Sequence, residues 1–141
     1  MGDQGKSPYV LEAIVPIANL KVLVVDDERE LADTVARLLT RKGCEVRVAY
    51  GGDQAFLDVK EFQPHLVLSD VKMPLGSGPA LLDAVQKISD APKPIVVLMT
   101  GYTDISEADL LSRGAARVFF KPLRSAELFG LLDELCPRVE E

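Results

Sequence analysis

From Leu20 onward, five short apolar runs alternate with longer segments of helical period, and that alternation limits the fold more than any other feature of the chain. The runs are Lys21 to Val25, Glu45 to Tyr50, His65 to Ser69, Ile95 to Met99 and Arg117 to Phe120. Most are rich in Val, Leu or Phe with little polar alternation, as expected of parallel strands buried on both faces. The second alternates more and suits an edge. Strand and helix in turn, five times over, predict an α/β domain with a parallel sheet covered on both sides.

The intervening segments carry apolar stripes at helical spacing. Leu31, Val35, Leu38 and Leu39 predict a first helix, with Gly43 as its C′ residue. Ala55, Phe56, Val59 and Phe62 predict a second that stops before Pro64. Leu81, Leu82, Val85 and Ile88 predict a third. Asp104 with Glu107 reads as a capping box for a short fourth helix that ends at Gly114. Leu128, Leu131, Leu132 and Leu135 predict a fifth, with Ser125 placed to cap it.

A length of 141 residues with 48% apolar composition suits one domain with one sizeable core. The 22 acidic and 16 basic residues leave a net charge of −6. Without a basic stripe to follow phosphates, direct nucleic-acid binding is not expected. Cys44 and Cys136 form no metal or redox motif and read as small core residues of a reducing compartment. The apolar stretch Tyr9 to Ala18 is interrupted by Glu12 and Pro16 and falls short of the roughly 20 residues a membrane span needs. Nor does the start read as a signal peptide. A cytoplasmic protein without membrane contact is expected.

Ligands of an open parallel α/β sheet bind beyond the carboxyl ends of its strands. The first run ends in Asp26 and Asp27, the third in Asp70, the fourth in Thr100 and Gly101, and the fifth in Lys121 and Pro122. Three carboxylates together repel one another and call for a compensating cation. Mg2+, a hard oxygen-seeking ion often held by one or two carboxylates plus phosphate oxygens, suits them. Asp70 then reads as a nucleophile towards phosphorus, with Lys121 and Thr100 meeting the charge on the transferred group. Singly, each feature has an ordinary explanation: Asp27 with Glu30 is a helix capping box, the segment from Asp70 through Gly76 a loop, Thr100-Gly101 a turn. Their recurrence at successive strand ends is what favours the chemical reading. His65, ahead of the third run, is expected to have no role.

Val-Val-Asp-Asp-Glu at 24 to 28, Asp-Val-Lys-Met-Pro at 70 to 74 followed by Gly78, Met-Thr-Gly-Tyr at 99 to 102 and Phe-Phe-Lys-Pro at 119 to 122 resemble the response-regulator receiver family of two-component signalling. The likeness runs from Leu20 to about Leu135. It implies a flavodoxin-like five-stranded parallel sheet of order 2-1-3-4-5, with residues 1–19 an extension or linker, 20–136 the receiver and 137–141 a tail. It implies that Asp70 is the phosphoacceptor, that Asp27, Asp70 and the Lys72 backbone carbonyl hold Mg2+, and that Asp26 reaches it through water. Lys121 would pair with the phosphoryl group, Thr100 would move towards it, and backbone N–H groups around Lys72 and Gly101 would help hold its oxygens. Gly101, being small, would leave the phosphorus open. Lys72 and Tyr102 would flank the path of an attacking water and tune the lifetime of the aspartyl phosphate.

The implied partners are a sensor histidine kinase or a histidine phosphotransfer protein, an unnamed downstream protein, and a second copy through the face of the fourth helix, fifth strand and fifth helix. The implied role is a phosphorelay phosphoprotein that catalyses only its own phosphorylation and dephosphorylation. One position departs from the family pattern. Three residues before the lysine, where an aromatic ring commonly turns inward, stands Val118; its neighbours Phe119 and Phe120 do not replace it simply. Two alternatives remain: a receiver-like interaction module switched by contacts alone, and the C-terminal receiver of a hybrid kinase, since Tyr9 to Ala18 resembles the last strand of a histidine-kinase ATP-binding domain. A hydrolytic phosphotransferase with an aspartate nucleophile would want an acidic residue where Lys72 stands.

Overall fold

The structure is a computed structural model that describes residues 15–101 and 106–136. A 3-10 turn at Ile17–Asn19 leads into β1 (Lys21–Val25). Then follow α1 (Arg29–Arg41), β2 (Glu45–Ala49), α2 (Gly52–Phe62), β3 (Leu66–Asp70), α3 (Gly78–Gln86), β4 (Ile95–Thr100), α4 (Glu107–Ser112), β5 (Arg117–Phe120) and α5 (Ser125–Leu135). All strand pairs are parallel and the order is β2-β1-β3-β4-β5. β2 stands at the edge, as its alternating sequence predicts, and β3 is buried throughout.

Strand side chains divide by parity into two cores. Val22, Val24, Leu66, Leu68, Val97 and Met99 point to one face, against Ala32, Val35 and Leu39 of α1 and Leu128, Leu131, Leu132 and Leu135 of α5. Leu23, Val25, Val67, Val96 and Leu98 point to the other, against Ala55 and Val59 of α2, Leu81, Leu82 and Val85 of α3, and Leu110 of α4. The handedness of crossovers explains the split. The chain moves one way from β1 to β2 and the opposite way from β2 onward, so right-handed connections put α1 on one face and α2, α3 and α4 on the other. The reversal opens a crevice between β1 and β3 at the carboxyl edge.

Several local signals resolve differently from the sequence reading. Ser106, not Asp104, is the N-cap of α4, its hydroxyl accepting the Asp109 N–H at 3.1 Å; Asp104 lies outside the described residues. Ser125 is the first residue inside α5 and Arg124 is the cap, where the Glu127 carboxylate accepts the Arg124 N–H at 3.2 Å. The part of the 9 to 18 segment that is described ends in the 3-10 turn, not a strand, and Ile17 packs on the first core. Gly43, at φ +102°, ends α1 as expected.

His65 has a structural role that the sequence reading denied it. Its Nδ1 accepts the Lys21 N–H at 2.9 Å, its own N–H donates to the Lys21 carbonyl, and its carbonyl accepts the Ile95 N–H. It therefore ties β1, β3 and β4 at the amino edge. Burial, and then the charge of Lys21, hold its pKa below the ordinary histidine value.

Candidate functional site

At the carboxyl edge, Asp26 follows β1 and Asp27 follows it, Asp70 and Thr100 are the last residues of β3 and β4, and Lys121 follows β5. Asp26 is fully buried and accepts on both oxygens: Oδ1 from the Glu28 N–H at 3.0 Å, Oδ2 from Lys121 Nζ at 3.0 Å. The first of these bonds closes the turn into α1, whose N-cap, Glu28, makes no side-chain cap of its own. The capping box read into Asp27 and Glu30 does not form, because α1 starts at Arg29 with Glu28, not Asp27, as its N-cap. Asp27 is left exposed and lines the cleft with Glu28, Asp70, Lys72, Gly101 and Lys121.

Asp70, only 5% exposed, directs Oδ2 at Lys121 Nζ, 3.2 Å away. Its Oδ1 is buried and finds no hydrogen-bond partner among the described residues. A buried acceptor left so costs about 1–3 kcal/mol, more when charged. Burial and then the Asp26 charge raise the Asp70 pKa above the ordinary aspartate value, and Lys121 only partly offsets them. Burial also works against the Lys121 ammonium, but the hydrogen bond to Asp26 and the charges of Asp70 and Asp26 outweigh it and lift its pKa above the usual lysine range.

Asp26, Asp27 and Asp70 each offer one carboxylate oxygen within 4.8 Å of the others. An under-compensated oxygen cluster with one orphaned acceptor fits a hard divalent cation. The expected Mg2+ therefore suits the residues present.

The loop after β3 is pressed against the end of that strand. The Gly78 N–H donates to the Val71 carbonyl at 2.9 Å, and a Cβ on Gly78 would stand 2.3 Å from the Asp70 carbonyl oxygen. The Gly52 N–H reaches the Gly76 carbonyl at 3.1 Å, so the start of α2 braces the same loop. Among the described residues, a Cβ on Gly101 would meet only Lys121 Cβ, at 3.9 Å, so their packing does not demand glycine there.

Thr100 is buried and, by strand parity, faces the second core with Val118. Phe119 belongs to the opposite core, whereas Phe120, paired with Thr100 across the strands, shares the face of Val118 but is 52% exposed. Tyr102 lies outside the described residues. Glu28, not among the site residues expected from sequence, accepts a hydrogen bond from Lys121 Nζ at 3.3 Å with its carboxylate. The third letter of the Asp-Asp-Glu run was the available signal.

A doubly wound 2-1-3-4-5 sheet with an acidic crevice at its switch point, reached by a lysine from the end of β5, places the chain in the flavodoxin-like class of α/β domains. The chain belongs to one family within it: residues 22–133 match the response regulator receiver domain. The DNA-binding response regulator MtrA of Mycobacterium tuberculosis is 33% identical over 109 residues, covering 77% of this chain and 46% of that one. The transcriptional regulatory protein CpxR of Escherichia coli is 34% identical over 108 residues, covering 77% and 45%. The chain thus spans about half the length of the curated relatives it matches. Among solved structures, the BeF3-activated receiver domain of Klebsiella pneumoniae RstA superposes with a TM-score of 0.73 at 26% identity, covering 84% of this chain and 99% of that one. The family is a signalling module of two-component systems and not a catalytic enzyme family. Among the described residues no helix is long and apolar enough to cross a membrane.

Proposed function

We propose that this chain, through residues 20–136, is a phosphoacceptor that takes a phosphoryl group from a phosphohistidine onto Asp70 and changes its protein contacts as a result. The observation that carries the reading is the buried Asp70 carboxylate, which clusters with Asp26 and Asp27, lies 3.2 Å from Lys121 Nζ and has no hydrogen-bond partner on Oδ1 among the described residues. A carboxylate oxygen of Asp70 would attack phosphorus as the imidazole nitrogen departs on the opposite side. The P–N bond breaks as the O–P bond forms, and the electron pair leaves with the histidine.

Lys121 is already within 3.2 Å of Asp70 and meets the negative charge that arrives on the phosphoryl oxygens. Thr100 supplies a hydroxyl from the end of β4, and the backbone N–H groups of Lys72 and Gly101 complete the cradle. Asp26, Asp27, Asp70 and the Lys72 carbonyl would hold Mg2+, whose chemistry when bound is to neutralise phosphoryl oxygens and restore balance among the carboxylates. Lys72 and the residue two beyond Thr100, Tyr102, shield the product from water.

The donor is a sensor histidine kinase or a histidine phosphotransfer protein, and the setting is cytoplasmic. MtrA is named as DNA-binding and CpxR as a transcriptional regulator. The expectation of no nucleic-acid contact therefore concerns this receiver and not a whole protein of that kind.

Incubation with acetyl phosphate and Mg2+ should add one phosphoryl group by intact mass, and EDTA or Asp70→Asn should abolish it. The same adduct on the Asp70→Asn protein would overturn the assignment.

A further inference from the structure

Lys121 is held by three carboxylates, and only two of them belong to the site proposed above. Its Nζ lies 3.0 Å from Asp26, 3.2 Å from Asp70 and 3.3 Å from Glu28. The Asp26 and Asp70 side chains are 1% and 6% exposed, whereas that of Glu28 is 66% exposed. The first two cannot leave the ammonium without stranding a buried charge. Glu28 can, since water takes over its solvation at little cost.

The backbone of Glu28 is pinned, for its N–H donates to Asp26 Oδ1 and it caps α1 in extended geometry. The side chain is therefore a tethered arm, rooted beside Asp26 and resting on Lys121 at the mouth of the cleft. It also borders the groove formed with Arg29, Glu30, Leu31 and Thr34 along α1.

We infer that Glu28 is a positioning residue that acts as a displaceable counter-charge for Lys121, holding the ammonium over the mouth of the cleft and yielding it to an incoming phosphate-type anion. The inference rests on the phosphoacceptor reading for its biological meaning. Its physics needs only an anion that competes for Lys121. A fixed −1 charge beside the entry path repels such an anion and occupies one of the lysine's donors. Removing it should tighten anion entry by about two- to five-fold at low salt, the size of one charge acting across a few ångströms of partly exposed site, and screening should shrink the gain.

Glu28→Gln keeps the shape, the backbone N–H to Asp26 and an oxygen acceptor for Lys121 while losing the charge. Glu28→Asp keeps the charge. At saturating Mg2+ and low salt, Glu28→Gln should reach half-maximal phosphorylation at about two- to five-fold lower acetyl phosphate, with the maximal rate little changed. Glu28→Asp should stay near the parent, and raised salt should erase the difference. In parallel, titration of inorganic phosphate against the Lys121 side-chain ammonium resonance should show the same tightening in Glu28→Gln. If the parent is phosphorylated normally but Glu28→Gln changes neither donor dependence nor phosphate affinity, or changes them equally at low and high salt, the inference fails and the phosphoacceptor reading stands. If phosphate binding tightens as expected while Asp70 never accepts a phosphoryl group, the inference stands and that reading fails.

Discussion

Two glycines of the site do different work, and their difference is testable one atom at a time. Gly78 is required by contact: an added methyl would stand 2.3 Å from the Asp70 carbonyl oxygen and 3.0 Å from Val71 Cα, both backbone. Gly78→Ala should therefore push the loop off β3, cost about 1–3 kcal/mol of stability and slow phosphorylation. Gly101→Ala meets, among the described residues, only ordinary contact with Lys121 Cβ at 3.9 Å and should leave stability within about 0.5 kcal/mol of the parent. Thermal unfolding of the two variants side by side checks the pair; equal losses would contradict it. The sequence marked both positions as glycines near the site but not which of them packing requires. That distinction depends on how closely α3 returns to the strand before it.

At the scale of elements, the strands were legible to within a residue at each end because continuous β-branched and leucine runs have one good use, burial between helices. The helix starts were not. A cap depends on where the first helical turn begins, and α1 begins at Arg29 with Glu28 as its N-cap, its N–H held by Asp26, so that Asp27 lies one residue outside the cap position. The same strand regularity brings Asp26, Asp70 and Lys121 together and sets Thr100 at the same edge of the sheet, at the end of β4. Glu28 escaped because it stands beyond the strand end and its contact with Lys121 depends on side-chain reach.

Among the described residues, α4 is the least anchored helix: Leu110 is its one buried side chain, and Arg113, just past its end, ties it to Asp83 of α3 at 2.7 Å. Val118 beneath it is buried, β-branched and has no ring to swing. Occupancy of the site by beryllofluoride should therefore alter backbone amide signals between residues 103 and 124 while the Val118 rotamer stays as it is. A static 103–124 segment, or a rotamer change at Val118, would contradict this.

Across the whole molecule, the two edges of the sheet have opposite characters: the carboxyl edge stores unbalanced charge and the amino edge is tied by His65. The His65 bond to Lys21 requires an unprotonated Nδ1, and the folded state holds the His65 pKa below its ordinary value of 6.5. The unfolded chain therefore takes up the proton first. This contribution to stability is complete above about pH 6.5 and is lost as pH falls below it. Denaturant midpoints measured from about pH 7.5 to 5.5 should fall for the parent and stay flatter for His65→Asn, whose amide oxygen keeps an acceptor without titrating there. Parallel pH profiles would remove His65 from the account.

At the carboxyl edge Asp70 is the proposed phosphoacceptor, its Oδ1 without a hydrogen-bond partner among the described residues. Borohydride cuts an aspartyl phosphate reductively and leaves homoserine in its place. Peptide mapping of the acetyl phosphate-treated protein after borohydride should find homoserine at position 70 and nowhere else. Homoserine at position 26 or 27, or intact Asp70 in protein that carries the phosphoryl mass, would contradict the account.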